Sequence, residues 1–207
     1  RPYAYLGKPP ETGTWRGGTP EILLSGEKVD WQTVALAGTQ SLRDGKLPKS
    51  WDHKNWREQQ LVASYIRRQL STLGITPEEK GPYSALAGEV SHWNIDFFFS
   101  LPNPEKLGVF LQLLHPTPAV CGLPKEEAYH FIIENEGYDR SYYSGFIGWL
   151  DPKGKTDLYV NLRCMNILPQ TFTLYAGGGL LAASQLEDEW QETEDKLDTM
   201  RRIVGNL

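Results

Sequence analysis

The spacing of apolar residues changes period along this chain, and that change limits the folds open to it. From about residue 55 to 73, Leu61, Val62, Tyr65, Ile66, Leu70 and Leu73 recur every three to four positions, the pattern of one helix face. Over "EVSHWNIDFFF" (89–99) the period drops to two. That places Val90, His92, Asn94 and Asp96 on one side of a strand and Trp93, Ile95, Phe97 and Phe99 on the other. The last third reads as strand (145–150), turn ("DPKGK"), strand (157–165), turn, strand (171–175), a "GGG" bend and a final helix over about 185–204. Connections this short favour antiparallel neighbours, because a parallel pair needs a crossover of about a dozen residues or more. The fold class is therefore α+β, with mainly antiparallel sheets and helices packed on them.

The first forty residues carry strand signals at "RPYAYL", "EILLS" (21–25) and "TVALAG" (33–38), divided by turn signals at "GGTP" and "SGEK". A loop is expected at "DGKLPKS" (44–50). A helix is expected over 105–114, ended by the prolines of "HPTPAVCGLP", and another over 125–136. No repeat, low-complexity tract or linker appears, so no boundary is placed within 1–207. The chain opens on Arg1 without an initiator Met and enters a strand at once, which reads as a piece cut from something longer.

A chain of 207 residues, 40% hydrophobic and 12% aromatic, can bury a real core. Its net charge of -5 offers no basic field for nucleic acid. No apolar run approaches the ~20 residues of a membrane helix, so a soluble protein with no nucleic-acid or membrane partner is expected. Cys121 and Cys164 are too few for a disulfide framework, which points to a reducing cytoplasm.

The final helix contains the acidic run "EWQETEDKL" (189–197). At about 100° per residue, Glu189, Glu192 and Lys196 share the stripe of Met200 and Ile203, while Glu187, Asp188, Glu194 and Asp195 point elsewhere. Glu58 lies on the apolar side of the earlier helix. Inward carboxylates need a partner or a cation. Without a Cys or His cluster, magnesium is the natural metal, and a Glu–Lys pair within one helix is the competing reading.

Arg163, grouped with Tyr159 and Asn161 on the polar side of its strand, could clamp a carboxylate or lie at the surface. "YAGGGL" (175–180) could admit an anion to bare backbone or simply bend. Glu21, at the mouth of an apolar strand, reads either as a general acid or as a solvated edge residue. His92 and His115 read as structural.

Taken together, "GTWRGGTPEILL", "VALAGTQ", "WREQQLV", "GEVSHW", "LLHPTPAVCGLPKEEA", "YSGFIGWLD", "LRCM", "YAGGGLL" and "EWQETEDKL" resemble, in this order, the chorismate-utilising enzymes, the anthranilate synthase component I-like family. Within that family "HPTPAVCGLP" is similar to the isochorismate synthase branch. The resemblance implies the C-terminal part of a single chorismate-binding domain and magnesium-dependent conversion of chorismate to isochorismate. It implies that Glu58 and Glu192 ligate magnesium with Glu189 in its water shell. Arg163, Lys196 and the backbone around Gly177 would receive the substrate's anionic groups. Gly38, Thr39, Ala119 and Tyr175 would line the pocket, His92 would contact the ring, and Glu21 would be the general acid.

The family's base, a lysine on a strand upstream of "GTPE", has no counterpart in this sequence, which implies an inactive fragment. Gln59 stands where the family often has histidine, and Ile95 where a small polar residue is common. The alternatives are a salicylate synthase, which would also release pyruvate, or a non-catalytic chorismate-binding module.

Overall fold

The computed structural model describes residues 3–42, 46–48, 50–87, 90–101, 104–151 and 153–205. Strands β1 (Tyr3–Gly7), β2 (Thr14–Thr19), β3 (Ile22–Glu27) and β4 (Asp30–Ser41) come first, followed by helix α1 (His53–Thr72), β5 (Glu78–Ala87) and β6 (Val90–Ser100). A 3-10 turn (Pro104–Lys106) leads into α2 (Leu107–Leu114) and α3 (Lys125–Asn135). Strands β7 (Phe146–Trp149), β8 (Thr156–Val160), β9 (Cys164–Ile167) and β10 (Phe172–Tyr175) precede α4 (Leu186–Val204). Arg1, Pro2, Glu89 and part of the expected 44–50 loop (Asp44, Gly45, Lys49) lie outside the described residues.

The strands form two antiparallel sheets, ordered β5-β6-β4-β3-β8-β7 and β1-β2-β9-β10. The α+β reading thus holds. The main core lies between the larger sheet and α1 and α2. Val62, Ala63, Ile66 and Leu70 of α1 and Phe110 and Leu114 of α2 pack on Leu24, Ala35, Ile95 and Phe97. Truncating a fully buried aromatic such as Phe97 typically costs about 3–5 kcal/mol through lost transfer energy and the cavity left behind. Asp52 caps α1 by accepting from the Asn55 N–H at 2.8 Å, which satisfies one of the donors a helix start leaves unpaired. Among the described residues, no helix is long and apolar enough to cross a membrane.

The structure corrects the sequence reading in several places. The segment expected to turn at "GGTP" is strand β2, because the Tyr5 ring packs 2.4 Å from where a Gly17 Cβ would stand, so the glycine serves close packing inside a strand. Strand β5 was not foreseen. Its Gly-Pro pair and charged residues suit an edge strand, where Pro forfeits no needed ladder bond. The single strand expected over 157–165 is two strands in different sheets, and Arg163 sits at the break with φ 47°, not on a strand face. Tyr159 stacks on Tyr3 instead, and Asn161 accepts from the Tyr5 hydroxyl at 2.7 Å.

Candidate active site

The site begins with a bulge in β4. Ala37 pairs with Trp93 and Thr39 with His92, leaving Gly38 as the extra residue at φ +73°. A Cβ there would meet the Asn55 carbonyl oxygen at 2.8 Å, so glycine satisfies both the backbone angle and the close approach of α1. After the bulge the Thr39 N–H donates to Asn55 Oδ1 at 2.7 Å, and the Gly38 backbone lies near enough to the Glu58 carboxylate to favour its charged form. Burial, and then the charge of Glu192, raise its pKa against the opposing pull of Lys196, the Gly38 N–H and Lys54.

Gln59, the neighbour of Glu58, faces the other way. It is fully buried and donates from Nε2 to the Ala35 carbonyl at 2.8 Å, tying α1 to β4. Ile95 is a core residue at 3% exposure.

His92, on β6, reaches the same space and is buried. Its Nε2 faces Arg163 Nη2 at 2.5 Å, and since a guanidinium only donates, Nε2 accepts. The ring proton then sits on Nδ1 and points to the Gly38 carbonyl at 3.2 Å. Burial, followed by the charges of Arg163 and Lys196, holds His92 well below the usual histidine range, so the ring is neutral. Arg163 is also buried, which lowers its pKa to about 10 and leaves it charged at neutral pH.

Glu21 lies between β2 and β3 at 2% exposure. The Thr117 hydroxyl donates to its Oε1 at 3.2 Å. Burial dominates the hydrogen bond and the Lys196 charge and pushes its pKa up to about 7. A carboxyl so placed gives up or takes a proton near neutrality.

The bend at 177–179 runs between α1 and α4. A Cβ at Gly178 would stand 3.6 Å from both Glu189 Oε2 and Glu192 Oε1, and one at Gly179 would stand 3.2 Å from Glu58 Oε1. The three foreseen carboxylates therefore face one stretch of bare backbone. Lys196 donates to the Gly177 carbonyl at 3.0 Å and to Glu192 Oε1 at 2.7 Å. Lys54 Nζ lies 2.5 Å from Glu189 Oε1.

Glu21, Gly38, Thr39, Glu58, His92, Ala119, Arg163, Gly177 and Lys196 line one inner cleft. Tyr175 does not; it stacks behind the lining residue Tyr143 with ring centroids 5.4 Å apart. Glu189 and Glu192 are not among the lining residues of the cleft; they face Gly178 of the bend. The cleft holds only about 60 Å³, but it shares Glu58, Ala119, Tyr143, Gly177 and Gly179 with a larger apolar cavity of about 620 Å³. A small-molecule pocket usually needs about 300–1,000 Å³, so a ring compound would use both spaces.

Sequence reasoning passed over Lys54, Thr117 and Tyr143. Of these only Lys54 carried a signal, standing one helical turn before Glu58. His115 is structural, with Nε2 2.8 Å from the Ser144 carbonyl.

Residues 3–205 match the family model described as "Chorismate binding enzyme". The chain belongs to the chorismate-binding enzyme family. Isochorismate synthase DhbC of Bacillus subtilis is 32% identical to this family member in an alignment 204 positions long that covers 93% of the chain and 50% of the relative. The solved structure of MenF, the menaquinone-specific isochorismate synthase from Escherichia coli, superposes with a TM-score of 0.84 at 30% identity, over 97% of this chain and 48% of that one. Anthranilate synthase component I from Streptococcus pneumoniae gives 0.77 at 25% identity, over 96% of this chain and 46% of that one. The chain thus spans about half the length of the chorismate-binding enzymes it matches.

Proposed function

We propose that this chain forms the acid-bearing and anion-binding part of an isochorismate synthase, which converts chorismate to isochorismate. The observation that carries this reading is the convergence of a buried carboxyl with a pKa near 7, Glu21, with two cations, Arg163 and Lys196, on one cleft. Arg163 offers a planar fork of donors to a substrate carboxylate, fixed in direction by His92. Lys196 and the bare backbone at Gly177 would receive a second anionic group. Glu21 in its protonated form donates to the departing C4 hydroxyl, which leaves as water, while a water molecule adds at C2, gives up one proton to a general base, and the ring double bonds shift.

Magnesium is the proposed cofactor. Around Gly178 and Gly179 the nearest side-chain oxygens are those of Glu58, Glu189 and Glu192, and Glu189 is 6% exposed, with Oε1 beside the Lys54 ammonium and Oε2 without a hydrogen-bond partner among the described residues. That donor chemistry suits a hard divalent cation. Yet among the described residues no three His, Cys, Asp or Glu side chains already stand close enough to enclose one. Glu58 and Glu192 would hold the ion, with Glu189 in its water shell, after the helices adjust around the bend. Bound there, magnesium would orient the ring carboxylate and offset its charge.

Among the described residues, the inner cleft contains no lysine besides Lys196 that could activate the attacking water. For the 207 residues by themselves the reading is therefore chorismate binding without turnover.

Calorimetric titration with chorismate in the presence of magnesium tests this. Micromolar to millimolar binding is expected, weakened about tenfold or more by Arg163→Lys, which keeps the charge and loses the fork. No detectable binding at millimolar chorismate, or binding indifferent to Arg163→Lys, rejects the reading.

A further inference from the structure

The charged side chains around the glycine bend alternate in sign. Lys54 and Glu58 lie four residues apart on α1, and Glu192 and Lys196 lie four apart on α4, with Glu189 one turn earlier. Lys196 pairs with Glu192 within its own helix and also donates to the Gly177 carbonyl. Lys54 instead crosses between helices and ends 2.5 Å from Glu189 Oε1, with only 25% of the lysine side chain and 8% of the glutamate side chain exposed.

The other Glu189 oxygen, Oε2, has no hydrogen-bond partner among the described residues and faces the point at Gly178 that Glu192 Oε1 also faces. Pairing that served stability alone would be expected to satisfy both oxygens of a carboxylate this deeply buried. Here one oxygen is held by an ammonium and the other is left open toward the space where a second carboxylate converges.

We propose that Lys54 is a resident cation of the acidic site, neutralising Glu189 in the metal-free protein and competing with a divalent ion for that carboxylate. The physical basis is charge balance. Buried carboxylates that approach one another require a compensating cation, and the side chain of α1 nearest to Glu189 supplies it. A divalent ion arriving beside Glu189 and Glu192 makes the ammonium redundant and repels it. Because the cation is tethered, metal binding meets a competitor at fixed local concentration, and apparent affinity falls by the fraction of molecules in which the ammonium holds Glu189. Lys54 would then swing outward toward solvent, which its partial exposure permits. This inference rests on the reading that these carboxylates take a divalent ion.

Titration calorimetry of the 207-residue chain with Mn2+ as the probe, on the wild type, Lys54→Gln, Lys54→Arg and Glu192→Gln, decides it. Lys54→Gln should bind Mn2+ roughly tenfold more tightly than the wild type. It should also melt lower without metal and recover the difference when Mn2+ is added. Lys54→Arg, which keeps the charge, should stay near the wild type. Unchanged or weaker Mn2+ binding by Lys54→Gln overturns the proposal. A Lys54→Gln chain that fails to fold with and without Mn2+ also overturns it, because the metal should replace the lost charge. If the wild type and Glu192→Gln bind Mn2+ alike, the metal reading itself falls. If they differ while Lys54→Gln matches the wild type, only the role of Lys54 is lost.

Discussion

Arg163 donates through Nη2 to Nε2 of His92 at 2.5 Å, and both side chains are buried. A cation meets here a titratable ring that burial and neighbouring charge hold neutral, so that it can accept. The histidine acts as a rest for the guanidinium: its Nδ1–H is anchored on the bulge carbonyl of Gly38, so the direction of the fork is set by β4 and β6 together.

The first prediction concerns that ring. His92 should remain neutral, with its proton on Nδ1, from about pH 5.5 to 8, because burial and then the charges of Arg163 and Lys196 oppose protonation. Nitrogen-15 chemical shifts of the ring check this. A ring that titrates near 6.5 contradicts it.

Glu21 gives a pH dependence of definite sign. Its folded-state pKa is raised from 4.5 to about 7, so the folded state binds the proton more tightly than the unfolded chain does. The associated stability is fully present below pH 4.5 and is lost as pH rises through 7. At its full extent the effect is about 3 kcal/mol, from ~1.4 kcal/mol per unit. Urea unfolding between pH 4.5 and 8 should show stability falling with pH in the wild type, and Glu21→Gln should remove most of that slope.

Removal of one converging carboxylate should separate metal binding from folding. In Glu58→Gln the thermal stabilisation given by millimolar magnesium should fall to less than half that of the wild type, since a ligand that binds only the folded state raises Tm in proportion to its binding free energy. The metal-free Tm should rise or stay level, because burial and Glu192 both disfavour the charged form of Glu58. Differential scanning fluorimetry reads both quantities.

Gly38→Ala should destabilise the protein by about 1–3 kcal/mol in urea unfolding, because alanine is strained at φ +73° and its Cβ would stand 2.8 Å from a backbone oxygen of α1. The same change disturbs the backbone that favours the charged form of Glu58, so magnesium stabilisation should weaken with it. Retention of both properties would remove the bulge from the site.

Much of this was legible in the sequence where one element could be read alone. The apolar period of 55–73 located α1 to within two residues, and the stripe of α4 singled out Glu189, which is buried with Met200. Readings failed where a second element decides. Val160, Leu162 and Cys164 keep alternating with Asn161 and Arg163 through the break between β8 and β9, so one long strand and two strands in different sheets have the same signature. Strand β5 hid because an edge strand tolerates charge on both faces. The Lys54–Glu189 contact joins helices more than a hundred positions apart, and no local period reports which turns will face each other.

The break at residues 161–163 has a mechanical consequence. The backbone leaves the six-stranded sheet at Val160 and joins the four-stranded sheet at Cys164, so Arg163 sits on the seam while its acceptor His92 belongs to the six-stranded sheet. The Arg163 carbonyl accepts from the Gly18 N–H of β2 at 3.2 Å while its guanidinium donates to His92 of β6, so this one residue rivets the two sheets together where the chain passes between them.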